Sequence, residues 1–267
     1  MIFIKKNLYI TAIILFAVLF SVSAFLLIRY YVQISRSQTS YDELIQIKDQ
    51  AQPMAQDEQN PLMAVVVDQD TGENRLVLAE YAPIYERNPD TVGWIAIDGT
   101  NINFPVMHRP EDTDYYLNRD FYGKWNNQGA IYVREQCDVF APSDNITIYG
   151  HRTNAGTMFA ALQDYQNQRF WQDHQYIQFD TLAEHHTYQI FAVFTIESSQ
   201  DSDFPYHLFV DAESDEEFDE FVTKAKGYSL YETGVSATPE DKLITLSTCV
   251  GTGNLGRLVV IAKRIAE

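Results

Sequence analysis

The chain has 267 residues, 46% of them hydrophobic, which suits one sizeable globular domain with an additional segment. Its formal net charge is −18 at pH 7, and residues 37–267, with 15 basic and 37 acidic side chains, carry a net charge of −22. Such an acidic surface argues against nucleic-acid binding, which needs basic patches, and it keeps an exposed domain soluble.

Near the N-terminus, residues 8–28 form an almost unbroken apolar run without a charge, shortly after Lys5 and Lys6. As a helix this run spans roughly 30 Å, the thickness of the hydrocarbon core of a bilayer. A cleaved signal peptide is the alternative, because residues 21–24 are small enough to form a cleavage site. The apolar run continues past these residues and therefore favours an uncleaved anchor. We assign residues 1–36 to a cytoplasmic tip and a transmembrane signal-anchor.

The next segment, residues 37–74, is polar at its start and is predicted to be a tether with an N-terminal helical segment. Ser40 and Glu43 have the spacing of a capping box, which predicts a short helix beginning there. Residues 50–59, rich in Gln and Asp, are predicted to be a loose tether.

A strand is predicted over residues 62–67, with a turn at residues 70–72. The apolar positions within residues 75–87 then predict a helix that bends or restarts at Pro83.

Short runs of β-prone residues, separated by Gly, Pro, Asn and Asp, dominate the remainder of the chain. They lie within residues 88–97, 101–106, 129–133, 145–149, 176–179, 187–196, 244–249 and 257–262. Pro105 predicts an edge strand or a bend, and residues 158–165 predict a short helix. The pattern as a whole predicts an all-β barrel of about eight strands with helical insertions.

One further helix is predicted over residues 214–227. Ser214 and Glu217 have capping-box spacing, acidic side chains fill the first turn, and Gly227 closes the helix. One apolar stripe follows the helical period: Phe218, Phe221, Val222 and Ala225.

Among the histidines, His151 is singled out because the run at residues 145–149 leads directly through Gly150 to it. This arrangement places the imidazole at the end of a strand. Five other histidines compete for a functional role: His108, His174, His185, His186 and His207. The pair at residues 185–186 lacks further ligands at suitable spacing, so we predict a solvated turn there and no metal site.

Cys249 likewise ends a strand, and Arg257 begins the next one after a glycine-rich connection. If the two strands pair antiparallel, the thiol and the guanidinium face each other. A fixed cation favours the reactive thiolate, and an arginine that stays charged suits the stabilisation of an oxyanion.

These residues resemble those of a known family. Thr245-Leu-Ser-Thr-Cys249, with Arg257 eight positions on, resembles the active-site signature of sortases, the cysteine transpeptidases of Gram-positive cell surfaces. Tyr149-Gly-His-Arg152 resembles the sortase histidine motif, and residues 101–106 and 114–117 are most similar to class B sortases.

The resemblance implies an eight-stranded sortase-type β-barrel across residues 75–267, with His151, Cys249 and Arg257 as catalytic residues. It identifies the helix at residues 214–227 with the class B helix in the long loop before the cysteine strand, which walls the substrate groove. Substrate contacts are expected from Leu246, Ser247 and Thr248, with a structural hydroxyl within the strand as the alternative role of Ser247. No cofactor is indicated.

The implied reaction is transpeptidation at the outer face of the cell membrane. The enzyme cleaves the C-terminal sorting signal of a surface protein after Thr, often within an NPxTx-like motif, through a thioester intermediate. It then joins the acyl group to an amine of cell-wall peptidoglycan. A pilin-polymerising sortase that uses a Lys amine is an alternative within the same chemistry, and hydrolysis would follow if water resolved the thioester.

Two features depart from the family pattern. The spacing from Cys249 to Arg257 is short for class B, and Cys137 is a second cysteine where one is common. An even pair of cysteines outside the cell suggests an alternative of another class, a non-catalytic surface-binding domain with a Cys137–Cys249 disulfide.

Overall fold

The computed structural model of the chain describes residues 2–51, 63–68, 72–197, 203–250 and 256–265, with the side chains of residues 2–8 excepted. The chain divides into two compact units, Met1–Tyr41 and Asp42–Glu267.

The first unit is helical. Helix α1 (Ile2–Ala51) contains the whole apolar run and continues for 23 residues beyond it. From Tyr9 onward this helix is long and apolar enough to cross a membrane by length and composition. The prediction of a separate helix beginning at Ser40 is wrong, since the Ser40 hydroxyl donates to the Arg36 carbonyl at 2.9 Å, as inside a helix. No Gly or Pro precedes Pro53 to stop the helix, and residues 52–59 of the predicted tether lie outside the described residues.

A two-stranded hairpin precedes the barrel. Strands β1 (Met63–Val67) and β2 (Asn74–Leu78) pair antiparallel, and helix α2 (Ala82–Tyr85) follows. The predicted strand at residues 62–67 is thus confirmed from Met63 onward, whereas the predicted turn at residues 70–72 lies largely outside the described residues. The helix predicted over residues 75–87 is wrong in its first half, because pairing with β1 buries Val77. Pro83 lies in the first turn of α2, where its missing N–H is tolerated.

Among the described residues, eight further strands form a closed barrel, which confirms the predicted fold class. Their order around the barrel is β10-β8-β7-β3-β4-β5-β6-β9, with parallel pairing only at β4–β5 and β6–β9. The strands are β3 (Thr91–Ala96), β4 (Asn103–Met107), β5 (Ile131–Val133), β6 (Asn145–Tyr149), β7 (Tyr176–Thr181), β8 (Thr187–Glu197), β9 (Leu243–Val250) and β10 (Gly256–Arg264).

The expectation that Pro105 marks an edge strand is wrong. Strand β4 has a paired strand on each side, β3 on one and the short strand β5 on the other. Pro105 is opposite Trp94 of β3, and pairing with β5 begins one residue later, at Val106. The missing N–H therefore removes no bond from the β4–β5 pairing.

Helical segments fill the connections. They are 3₁₀ helices at Tyr115–Asn118, Phe159–Gln166 and Tyr206–Leu208, helix α3 (Gln168–Asp173) and helix α4 (Asp215–Tyr228). Helix α4 confirms the prediction for residues 214–227, with the Ser214 hydroxyl accepting from the Glu217 N–H at 3.3 Å. Its predicted apolar stripe is buried, in one cluster with aromatic side chains of β8. The helix therefore covers one end of the barrel core.

Candidate active site

Cys249 and Arg257 face each other across strands β9 and β10. The antiparallel register places the two residues directly opposite each other, so their side chains lie on the same face of the sheet. Residues 251–255, which connect the strands, lie outside the described residues. The described end of β9 is held by Gln163, whose side-chain amide donates to the Cys249 carbonyl at 3.3 Å.

His151 follows β6 by two residues. Strand β6 pairs parallel to β9, with Tyr149 opposite Ser247, so both strands end at the same rim of the barrel. Gly150 makes this approach feasible. A Cβ at this position would lie 2.5 Å from Ile131 Cδ1 and 2.6 Å from the Phe159 ring, well inside van der Waals contact.

One backbone carbonyl determines which nitrogen of the His151 ring carries a hydrogen. His151 Nε2 lies 2.7 Å from the carbonyl oxygen of Leu117. Because a carbonyl only accepts, Nε2 carries the hydrogen of this bond, and Nδ1 is the atom left to gain or lose a proton. No hydrogen bond joins Cys249 to His151 among the described residues.

A cleft of about 330 Å³ contains all three side chains. Its lining includes Cys249, His151 and Arg257 together with a second guanidinium, that of Arg134. The cleft therefore combines a half-buried thiol, an imidazole and two permanent positive charges. Among the described residues, no three His, Cys, Asp or Glu side chains of this cleft lie close enough together to bind one metal ion.

The three residues before Cys249 differ in their surroundings. Ser247 and Thr248 line the cleft, each 2% exposed. The Ser247 hydroxyl lies 2.7 Å from the hydroxyl of Tyr206, whereas the Thr248 hydroxyl is buried without a partner among the described residues. Leu246 does not line the cleft, contrary to the expectation for a substrate contact. Side chains alternate along a strand, so Leu246 points away from the face of Ser247 and is fully buried.

Comparison with known proteins decides the family. The sortase domain family model matches residues 95–265, which include the whole cleft. The chain belongs to the sortase family. It is 30% identical to sortase B of Staphylococcus aureus over 191 residues, which are 71% of this chain and 76% of that protein. Sortase B of Listeria monocytogenes is 29% identical over 199 residues, 74% of this chain and 78% of that protein.

Solved structures agree with the class. A Staphylococcus aureus sortase B–substrate complex superimposes with a TM-score of 0.74 at 26% identity and covers 88% of this chain and 98% of that one. Sortase B of Bacillus anthracis, in complex with AAEK1, gives a TM-score of 0.71 at 28% identity, covering 89% and 100%. This sortase is therefore a cysteine transpeptidase of class B with a role in cell-wall anchoring.

Several cleft residues of the sortase escaped prediction from the sequence. Arg134 follows β5 by one residue, and its guanidinium donates to the backbone carbonyl of His207. Burial lowers the pKa of His207, and the charges of Arg134 and Arg257 lower it further. Tyr132, another residue of the cleft lining, donates to Asp114 at 2.7 Å. Asp114 belongs to a segment that the family resemblance marked, but no sequence pattern marks Arg134 or His207.

The disulfide alternative is wrong. Cys137 and Cys249 are both free thiols. The buried Cys137 sulfur accepts from the N–H of Thr147, which lies opposite Thr245 of β9. Cys249 is four residues further along β9 and therefore roughly 13 Å from Thr245 at the usual rise of a strand. The Cα atoms of a disulfide, in contrast, lie at most about 7 Å apart.

Helix α4 does not wall the cleft as the resemblance implied. None of its residues lines the cleft, and its buried face packs on the barrel core instead. The segment that does reach the cleft is the 3₁₀ helix at Tyr206–Leu208, through Tyr206 and His207. Helix α4 thus belongs to the same core cluster as Tyr206 but does not itself line the cleft.

Proposed function

We propose that this sortase is a membrane-anchored enzyme that cleaves the C-terminal sorting signal of surface proteins after Thr. It joins the new carboxyl end to an amine of cell-wall peptidoglycan. The observation that carries the proposal is the placement of Cys249 opposite Arg257 in a cleft that also contains His151.

In the first half-reaction the Cys249 sulfur attacks the carbonyl carbon of the Thr residue in the signal. The carbonyl oxygen gains the negative charge of a tetrahedral intermediate, and the Arg257 guanidinium stabilises it. Arginine suits this task because it remains charged at any working pH. When the carbon–nitrogen bond breaks, the carbonyl re-forms as a thioester with Cys249.

His151 moves the protons. Its Nε2–H is held by the Leu117 carbonyl, so Nδ1 is the atom that gives a proton to the departing amine. In the second half-reaction the acceptor amine attacks the thioester and loses a proton to the same nitrogen. An amide bond forms, and Cys249 leaves as a thiolate.

Substrate contacts come from the cleft wall before Cys249. Thr248 lines the cleft directly before Cys249, which supports a contact between this residue and the signal. Ser247 borders the same groove, while its bond to Tyr206 holds its hydroxyl in place. We do not include Leu246 among the substrate contacts, because it does not line the cleft.

In this proposal residues 8–28 cross the membrane with Lys5 and Lys6 on the cytoplasmic side. The anchor comprises residues 1–36, residues 37–74 connect it to the enzyme, and residues 75–267 form the extracellular catalytic domain. The long apolar helix from Tyr9 supports the anchor. The sortase family supports the orientation, since Lys5 and Lys6 before the apolar run are opposed by Arg29 and Arg36 after it and the charge bias is slight.

The test uses the full chain in detergent micelles, a set of fluorogenic sorting-signal peptides, and either oligoglycine or a pilin domain as the acceptor. We expect cleavage after Thr and a peptide–oligoglycine product by mass spectrometry. Cys249→Ala should abolish turnover, His151→Ala should nearly abolish it, and Cys137→Ala is the matched control that retains it. Near-normal turnover by Cys249→Ala would overturn the proposal. A product with the pilin domain alone would support the pilin-polymerising alternative.

A further inference from the structure

A second cleft lies away from the proposed active site and shares no lining residue with it. It has a volume of about 280 Å³ and contains Glu80, Asp180 and His185. One carboxylate oxygen from each acid and one nitrogen of the imidazole all lie within 4.8 Å of one another. Glu80 follows β2, Asp180 belongs to β7, and His185 lies in the turn between β7 and β8.

Glu80 is the unusual member, because its side chain is only 5% exposed. No Lys, Arg or His of the described residues forms an ion pair with its carboxylate. The Tyr81 hydroxyl lies close to it but donates its single hydrogen to Asp180 Oδ2, at 2.5 Å. Burial, followed by the Asp180 and Glu80 charges, raises the pKa of Tyr81, so this hydroxyl stays protonated. The two neighbouring carboxylates thus compete for the one hydroxyl hydrogen of Tyr81, and no cation among the described residues forms an ion pair with Glu80.

The Lys48 ammonium, which also lines this cleft, does not neutralise the two carboxylates. The Lys48 ammonium lies 4.9 Å from the centre of the Trp94 ring, and its nearest carboxylate oxygen, at 3.9 Å, belongs to Asp49. His185 Nδ1 lies 2.8 Å from Asp180 Oδ2, so the imidazole lies directly beside this carboxylate. Uncompensated buried carboxylates are costly unless they are paired or bind a metal.

We propose that Glu80, Asp180 and His185 bind one Zn²⁺ ion. One imidazole and two carboxylates are ligands that zinc accepts, and water completes a tetrahedral site. Ca²⁺ fits less well because it takes six to eight oxygen ligands. Zinc bonds of about 2.1 Å place tetrahedral ligands about 3.4 Å apart. The three ligand atoms lie within 4.8 Å of one another, so no pair needs to approach by more than about 1.4 Å.

The ion would connect the segment before the barrel to the β7–β8 hairpin. Its role is structural, since none of its ligands lines the catalytic cleft. The sequence alone could not reveal the site, because Glu80 lies a hundred residues from Asp180. Binding to the folded state alone raises the stability of the fold with rising zinc concentration.

The test is calorimetric titration of the full, untagged chain in detergent micelles, after treatment with a chelator, with ZnCl₂ and separately with CaCl₂. We expect one zinc ion per chain, a rise in melting temperature with zinc, and weaker or no calcium binding. Glu80→Gln and His185→Gln should each weaken zinc binding at least about tenfold. His186→Gln is the matched control, because it removes the neighbouring imidazole, which is not a member of the group.

Two results would overturn the proposal. The first is no zinc binding by the unchanged chain, and the second is a zinc affinity of Glu80→Gln and His185→Gln that equals that of the unchanged chain. Tighter binding of calcium than of zinc would overturn the choice of metal. Because Glu80 is buried, circular dichroism first checks that each variant is folded, and the more exposed His185 provides the second variant. The readout does not depend on transpeptidation, so its failure leaves the proposed function untouched.

Discussion

Replacing Arg257 with Ala removes a permanently charged donor placed directly opposite Cys249. One of its nitrogens, Nη1, donates to the Gly256 carbonyl at 3.2 Å, a contact that orients the guanidinium. Loss of one oxyanion donor lowers kcat by about 10²–10³, or about 3–4 kcal/mol of transition-state stabilisation. Arg257→Lys keeps the charge but loses the planar fork, so we expect an intermediate rate.

The assay has two readouts. The first is kcat/KM for a fluorogenic sorting peptide, and the second is the rate at which iodoacetamide alkylates Cys249. An oxyanion donor acts on the intermediate alone, so Arg257→Ala should reduce turnover much more than alkylation. Arg264→Ala is the matched control, since Arg264 lies seven residues further along the same strand, roughly 23 Å away.

Two outcomes would contradict this reasoning. A loss of less than about threefold in kcat/KM would show that Arg257 does not contact the oxyanion. A parallel loss of turnover and alkylation would show that its charge acts by forming the Cys249 thiolate instead.

Three further predictions concern thiols and packing. In the native chain at pH 7 a maleimide should label Cys249 quickly and Cys137 slowly, because burial raises the pKa of Cys137 to about 11, whereas both should react in denaturant. Labelling of Cys137 should accelerate as the pH rises toward that value. Ser247→Ala should lower the free energy of unfolding by about 1–3 kcal/mol, because it leaves the buried hydroxyl of Tyr206 without its 2.7 Å partner, and chemical denaturation measures this. Phe218→Ala should lower it by about 3–5 kcal/mol, because this side chain is 1% exposed in the core beneath α4.

Matched variants control these three experiments. Cys137→Ser should leave one fast thiol, and two fast thiols in the unchanged chain would refute the burial argument. Tyr206→Phe combined with Ser247→Ala should cost less than the sum of the single changes, and strict additivity would mean that the two hydroxyls do not interact. Thr223→Ala, at an exposed position of α4, should change stability by less than about 0.5 kcal/mol.

Local patterns were sufficient where the relevant contacts are local. The apolar stripe of α4 and its Ser214 cap could be read from neighbouring residues, as could the strand that leads to His151. The strands that carry Cys249 and Arg257 are also neighbours in the sequence, so their pairing follows from a short connection.

Contacts between distant residues explain the failures. The apolar positions after Arg75 fit a helix, yet pairing with β1 makes a strand of them, because partners outside the segment override its own preference. Nothing near Ser40 stops helix α1, and a capping-box spacing without a break in the chain does not begin a new helix. Arg134 and His207 are 73 residues apart, and only barrel closure brings them into the cleft.

Barrel closure also explains how a short Cys249–Arg257 spacing is compatible with the site. Side chains alternate along a strand, so a slip of one residue between β9 and β10 would put Leu258 opposite Cys249 and turn Arg257 to the other face. The register is held from both sides, by β6 against β9 and by β8 along the full length of β10. Because these pairings fix the two strands independently of the connection between them, the connection can shorten while the thiol and the guanidinium keep their places.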